Sequence, residues 1–162
     1  MPAFVLTRVL DAPRELVFKA FTEPERLLHW WAPKGFTMRT STLDLRPGGV
    51  FHYCQVAPNG HEMWGKFVYH EVVPPERLVF INSFSDKEGN VVRAPFSPTW
   101  PLEILSTITF AEQNGKTVLT LKGVAFHASD AERATFVEAA RGLEAGWGGT
   151  LDQLDAYLAA AQ

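Results

Sequence analysis

The feature that most constrains this chain is a change of period. From Phe36 to Phe126 it runs as short strand-like segments broken by turn residues, and from Ser129 onward as one helical repeat. The strand-like runs fall at 36 to 46, 50 to 57, 63 to 73, 77 to 85, 102 to 111 and 116 to 126. Between them stand Pro47-Gly48-Gly49, Pro58-Asn59-Gly60, Pro74-Pro75, the segment 86 to 101 and Asn114-Gly115, compositions that turn the chain back on itself. Such a pattern predicts an antiparallel meander. The capping box Ser129-Asp130-Ala131-Glu132 then opens a helix in which Phe136, Ala140, Leu143, Trp147, Leu151, Leu154 and Leu158 recur every three or four residues.

Ahead of the meander, Phe4 to Leu10 alternates as a strand, Pro13 suits a first helical turn, and Leu16, Val17, Ala20 and Phe21 share a helical face. Thr22-Glu23-Pro24-Glu25 has capping-box spacing. It predicts a second short helix carrying Leu27, Leu28 and Trp31 inward, stopped by Ala32-Pro33-Lys34-Gly35. The expected architecture is α+β: a seven-stranded curved antiparallel sheet around a long C-terminal helix, with two short helices after the first strand. Without repeats or linkers, residues 1–162 read as a single domain.

Fifteen Lys and Arg against eighteen Asp and Glu give a net charge of −3 with no basic block. No positive face is therefore expected for nucleic acid or an anionic membrane. Arg8 and Asp11 interrupt the N-terminus before a signal-like apolar stretch forms, and no apolar run approaches ~18 residues. The expectation is a soluble, cytoplasmic protein. Cys54 stands alone, which excludes an internal disulfide, offers no zinc-ligand spacing, and suggests a buried, inert thiol. His61-Glu62 lacks the following His of a zincin, and GxSxG, P-loop and GxGxxG motifs are absent. No catalytic residue, metal or cofactor is assigned on this basis.

A curved sheet opposed by a helix can enclose roughly 300–1,000 Å³, the range of small-molecule sites. The candidate lining is aromatic: Trp30, Trp31, Phe36, Phe51, Tyr53, Trp64, Phe80, Phe84, Trp100 and Trp147 sit on elements directed toward that space. Five tryptophans are more bulk than a small core needs. Polar candidates are His29, Arg39, His52, Tyr53, Glu62, Asn82 and Glu103. Alternation puts Phe51, Tyr53 and Gln55 on one face and His52 and Cys54 on the other. It also groups Phe80, Asn82 and Phe84, which makes Asn82 the inward polar group, able to hydrogen-bond a ligand carbonyl or hydroxyl or a neighbouring backbone group. Gly142, Gly146, Gly148 and Gly149 each cost about 1 kcal/mol relative to Ala inside a helix. Something is expected to pack closely there, either the sheet, which is the simpler source, or a ligand. Phe96 and Trp100, on the long 86 to 101 connection, are costly to leave in water and are expected to fold over a pocket mouth or into a dimer contact.

This order of elements comes with Asp11-Ala12-Pro13-Arg14-Glu15-Leu16-Val17-Phe18, Trp30-Trp31-Ala32-Pro33-Lys34-Gly35-Phe36-Thr37 and Asp44-Leu45-Arg46-Pro47-Gly48-Gly49. Met63-Trp64-Gly65-Lys66-Phe67, Pro74-Pro75-Glu76-Arg77-Leu78 and Gly146-Trp147 extend the pattern over nearly the whole chain. In these phrases the chain resembles the activator of heat-shock-protein ATPase homologue-like family of the SRPBCC or START-like (Bet v 1-like) superfamily. The resemblance implies the helix-grip fold. It also implies a choice of functions, since the superfamily holds hydrophobic-ligand carriers, polyketide aromatase/cyclases and the co-chaperone that names this branch, and fold alone does not choose among them. The co-chaperone of that name has a separate chaperone-binding N-terminal domain, absent from these residues, so a chaperone partner is the weaker expectation.

Three functions follow in order. First is a binding protein for a small apolar or aromatic molecule held between sheet and helix. Second is a cyclase- or hydrolase-type enzyme using a pocket His or carboxylate. Third is an interaction module acting on a chaperone or on a second copy of itself as a homodimer.

Overall fold

The structure, a computed structural model, describes residues 4–32 and 35–161. Seven strands form a single antiparallel sheet: β1 (Phe4–Leu10), β2 (Thr37–Leu43), β3 (Val50–Val56), β4 (Glu62–Val73), β5 (Arg77–Phe84), β6 (Glu103–Gln113) and β7 (Lys116–Phe126), in the order β1-β7-β6-β5-β4-β3-β2. Only β1 leaves sequence order, pairing with β7 through Phe4↔Gly123 to Leu10↔Thr117. Two short helices, α1 (Arg14–Thr22) and α2 (Pro24–Trp30), follow β1, and α3 (Asp130–Ala161) closes the fold. This is the helix-grip arrangement expected. No described helix is long and apolar enough to cross a membrane.

Both helix starts were legible, but only one is built as expected. At α3 the Ser129 hydroxyl accepts from the Glu132 N–H (3.1 Å) and the Glu132 carboxylate accepts from the Ser129 N–H (2.8 Å), a complete capping box. At α2 the box does not form. Glu23 is the N-cap and makes no side-chain cap bond, while the Thr22 hydroxyl turns back to donate to the Phe18 carbonyl (2.8 Å). Thr22 is the last residue of α1, so its hydroxyl is spent on that helix, and Pro24 starts α2 with no N–H to cap.

The concave face of the sheet is divided along its strands. Toward one end, Phe51, Phe67, Tyr69, Leu78, Phe80, Ile108, Phe110 and Leu119 are buried. Helices α1 and α2 fill that end: Phe18 and Phe21 pack edge-on against Phe110 (5.3 and 5.5 Å between ring centres), and Phe21 does the same to Trp30 (4.7 Å). Toward the other end the same inward rows carry Tyr53 and Gln55, Met63 and Gly65, Asn82 and Phe84, Ile104 and Ser106, and no short helix covers them. Helix α3 spans both halves. Arg8 of β1 anchors it, donating to Asp152 (2.5 Å), Asp155 (2.6 Å) and the Gly148 carbonyl (3.1 Å).

Candidate functional site

The uncovered half encloses a cavity of about 300 Å³ between the sheet and α3, at the lower end of the size range of small-molecule sites, roughly 300–1,000 Å³. Its apolar walls come from Phe4, Trp31, Phe84, Trp100, Phe136 and Trp147, with Ile104 and Leu121 as floor. Trp31, the residue after α2, meets Trp147 of α3 (5.1 Å) and stands edge-on to Tyr53 (5.9 Å) and Phe67 (5.4 Å). It thus forms the partition between the filled and open halves.

The cavity's shape depends on one glycine. Gly65 lies directly across from Tyr53 in the β3–β4 register, and the Tyr53 ring lies over it. A Cβ at position 65 would stand 2.6 Å from the Tyr53 hydroxyl oxygen. Glycine here is what lets the tyrosine lie flat along the wall.

Polar groups facing the cavity are few and uncharged. Among the described lining residues there is no Asp, Glu, Lys, Arg or His. Gln55 donates to the Trp31 carbonyl (3.2 Å), and the Thr150 hydroxyl donates to the Gly146 carbonyl (3.2 Å). The Asn82 amide and the Ser106 hydroxyl, inward on adjacent strands, have no side-chain hydrogen bond within the protein. The Trp31 indole N–H is buried, and its nearest polar neighbour is the Tyr53 hydroxyl, with which it makes no bond of ordinary geometry. Burial pushes the Tyr53 hydroxyl well above the usual phenol range, an effect partly offset by the neighbouring Trp31 indole, so the phenol is neutral at physiological pH.

Of the residues expected to line a pocket, Trp31, Tyr53, Asn82, Phe84, Trp100 and Trp147 border this cavity. Trp64 touches it as well, but its ring stacks on His52 (5.1 Å). The strand pairs Trp64 with Cys54, so its ring belongs to the opposite face of the sheet. Phe51 and Phe80 share the inward face yet are solid core: both are fully buried, and Phe80 stacks on Phe67 at 4.0 Å. Trp30 is core too, its indole N–H donating to the Ala20 carbonyl (2.9 Å). Phe36 lies at a separate recess of about 210 Å³ beside Trp30 and Gln153.

The remaining polar candidates are occupied elsewhere. Arg39 pairs with Glu62. His52 Nε2 is 3.1 Å from the Asp86 carbonyl, His127 is 3.3 Å from Glu103, and His29 stacks on Tyr157. A pocket His or carboxylate, which the enzyme reading requires, has no representative among the described lining residues. Cys54 is buried, and burial raises its thiol pKa.

One further expectation is corrected: the sheet does not supply the close packing expected at the glycines of α3. The four glycines of α3 are not packed upon: a Cβ at Gly142, Gly146, Gly148 or Gly149 would meet no heavy atom within 4 Å. Phe96 packs on two residues of the cavity wall. It is 64% exposed and leans on Phe84 (5.7 Å) and Trp100 (5.3 Å), while Trp100 itself is buried as cavity wall. Sequence reasoning missed Met63, Ser106 and Phe136; strand parity extended across β4 and β6 was the signal that would have found the first two.

Comparison with known proteins agrees with this geometry. The family model described as "Activator of Hsp90 ATPase homolog 1-like protein" matches residues 11–159. Among solved structures, protein NE0264 from Nitrosomonas europaea is 27% identical with a TM-score of 0.76, covering 98% of this chain and 94% of that one. Protein Ms6760 from Mycobacterium smegmatis is 25% identical with a TM-score of 0.77, covering 95% and 88%. An AHSA1-like protein from Aeromonas hydrophila, 21% identical with a TM-score of 0.69 over 98% and 94%, shares the fold. No curated protein matches the chain.

Proposed function

Because this chain belongs to the Activator of Hsp90 ATPase homolog 1-like family, in which fold alone does not choose a function, we propose from its cavity that it binds a small, uncharged apolar or aromatic molecule. The observation that carries this reading is the pairing of aromatic walls with unpartnered neutral polar groups. The Ser106 hydroxyl and the Asn82 amide point inward on neighbouring strands with bonds to spare. Buried polar groups are normally satisfied, and a ligand carbonyl or hydroxyl would satisfy these. A ligand carboxylate would lose its hydration and find no cation among the described walls, at a cost of several kcal/mol. The protein therefore selects neutral molecules and orients them by one polar end.

Two fluorescent probes with the same ring skeleton test this. N-phenyl-1-naphthylamine is neutral, and 8-anilinonaphthalene-1-sulfonate adds a fixed negative charge. Saturable fluorescence with the neutral probe, accompanied by a rise in Tm, is expected; at 100 times its Kd a ligand adds about 2.7 kcal/mol of stability. Equal or tighter binding of the sulfonate would contradict selection for neutral ligands, and no saturable signal from the neutral probe would contradict the binding reading.

A further inference from the structure

Gly142 and Gly146 sit one helical turn apart on α3, and both border the cavity. Among its described lining residues they are the only exposed ones. Glycine is the poorest helix former after proline, and close packing does not explain it here, because a Cβ at either position would reach no heavy atom within 4 Å. The residues that follow each of them, Leu143 and Trp147, are half-buried and cover the cavity. The glycines are thus notches in an otherwise bulky edge. Deeper in the same space, Ser106 is 5% exposed, lines the cavity, and its hydroxyl makes no side-chain hydrogen bond. This hydroxyl marks the space behind the glycines as ligand space independently of the glycines themselves.

We propose that the opening over Gly142 and Gly146 is the doorway through which ligand enters and leaves, and that the missing side chains set the width of the ring system admitted. This rests on the binding reading above. A ligand held between α3 and the sheet has to cross the cavity's edge, and the helix is locally bare where that edge meets solvent. A Cβ at either position meets open space, so a leucine there would extend into the opening.

Stopped-flow fluorescence with N-phenyl-1-naphthylamine separates a doorway from a wall. In Gly142→Leu and Gly146→Leu, association and dissociation should both slow by about tenfold while Kd stays within about twofold. Gly146→Ala should leave the rates near wild type and raise Tm by about 2–4 °C, the helix-propensity gain of an unobstructed alanine. Far-UV circular dichroism checks that α3 is intact, and Gly142→Gln and Gly146→Gln carry the same test with a polar side chain. Unchanged rates in the bulky variants would overturn the doorway, as would a Kd weakened by faster dissociation at unchanged association, which marks a wall. Failure of the wild type to bind the probe at all would instead refute the binding reading, and this inference with it.

Discussion

Replacing Gly65 by alanine tests the account of the cavity wall with one methyl group. In a strand interior, alanine ordinarily gains roughly 0.5–1 kcal/mol over glycine. Here the new Cβ would lie 2.6 Å from the Tyr53 hydroxyl oxygen, 2.7 Å from Cζ and 3.0 Å from Cε2, all well inside contact distance. The ring cannot slide freely, since Phe51 (4.9 Å), Phe67 (5.8 Å) and Trp31 (5.9 Å) surround it. Its open direction is into the cavity. Overpacking of a formed core costs about 1–3 kcal/mol, so at mid-range values the clash exceeds the propensity gain and the net loss is about 1 kcal/mol. In urea denaturation the midpoint should fall with an unchanged slope, and affinity for N-phenyl-1-naphthylamine should drop as the ring enters the cavity. In a Tyr53→Leu background, which lacks the clashing atoms, the same substitution should be neutral or stabilising. A Gly65→Ala protein as stable as wild type would refute the reasoning.

Other outcomes follow from the same structure. Trp30→Phe removes the bond to the Ala20 carbonyl from a side chain that is 1% exposed, so it should cost about 2–3 kcal/mol in urea denaturation and leave probe affinity unchanged. Arg8→Gln releases Asp152, Asp155 and the Gly148 carbonyl, and a loss of about 1–2 kcal/mol, smaller at high salt, is expected from denaturation at two ionic strengths. Glu132 is held below its ordinary carboxylate pKa by the Ser129 N–H and by Arg93. Its folded value being the lower one, its contribution is present above about pH 4.5 and lost as pH falls through the folded value. Protection factors of the first-turn amides of α3, taken relative to the intrinsic exchange rate at each pH, should therefore fall on acidification in wild type and change less in Glu132→Gln.

The fold was largely legible because its signals are local. Turn residues at Pro47-Gly48-Gly49 and Asn114-Gly115 bound the strands on either side, and the Ser129–Glu132 box marks the start of α3. Parity also placed Tyr53, Asn82 and Phe84 correctly on the inner face. It could not separate them from Phe51 and Phe80 on the same strands and the same face, because what distinguishes the two groups is which half of the sheet α1 and α2 cover. That is a tertiary fact with no local sequence signature. Trp64 borders the cavity as expected, while its register opposite Cys54 puts the ring on the other face, against His52. The glycines of α3 were expected to be packed by the sheet or by a ligand because their propensity cost implied compensation, and the sheet does not do so: a Cβ at any of them meets no heavy atom within 4 Å.

The claim that this cavity receives a small neutral molecule is tested most directly by the five tryptophan indole N–H resonances, followed in a ¹H–¹⁵N spectrum as N-phenyl-1-naphthylamine is added. Trp31, Trp100 and Trp147 line the cavity, Trp30 is bonded to Ala20, and Trp64 stacks on the far face of the sheet. The account predicts saturable shifts at Trp31, Trp100 and Trp147, with Trp30 and Trp64 unmoved. Shifts confined to Trp30 or Trp64, or none at any indole while the probe binds, would place the ligand elsewhere and contradict it.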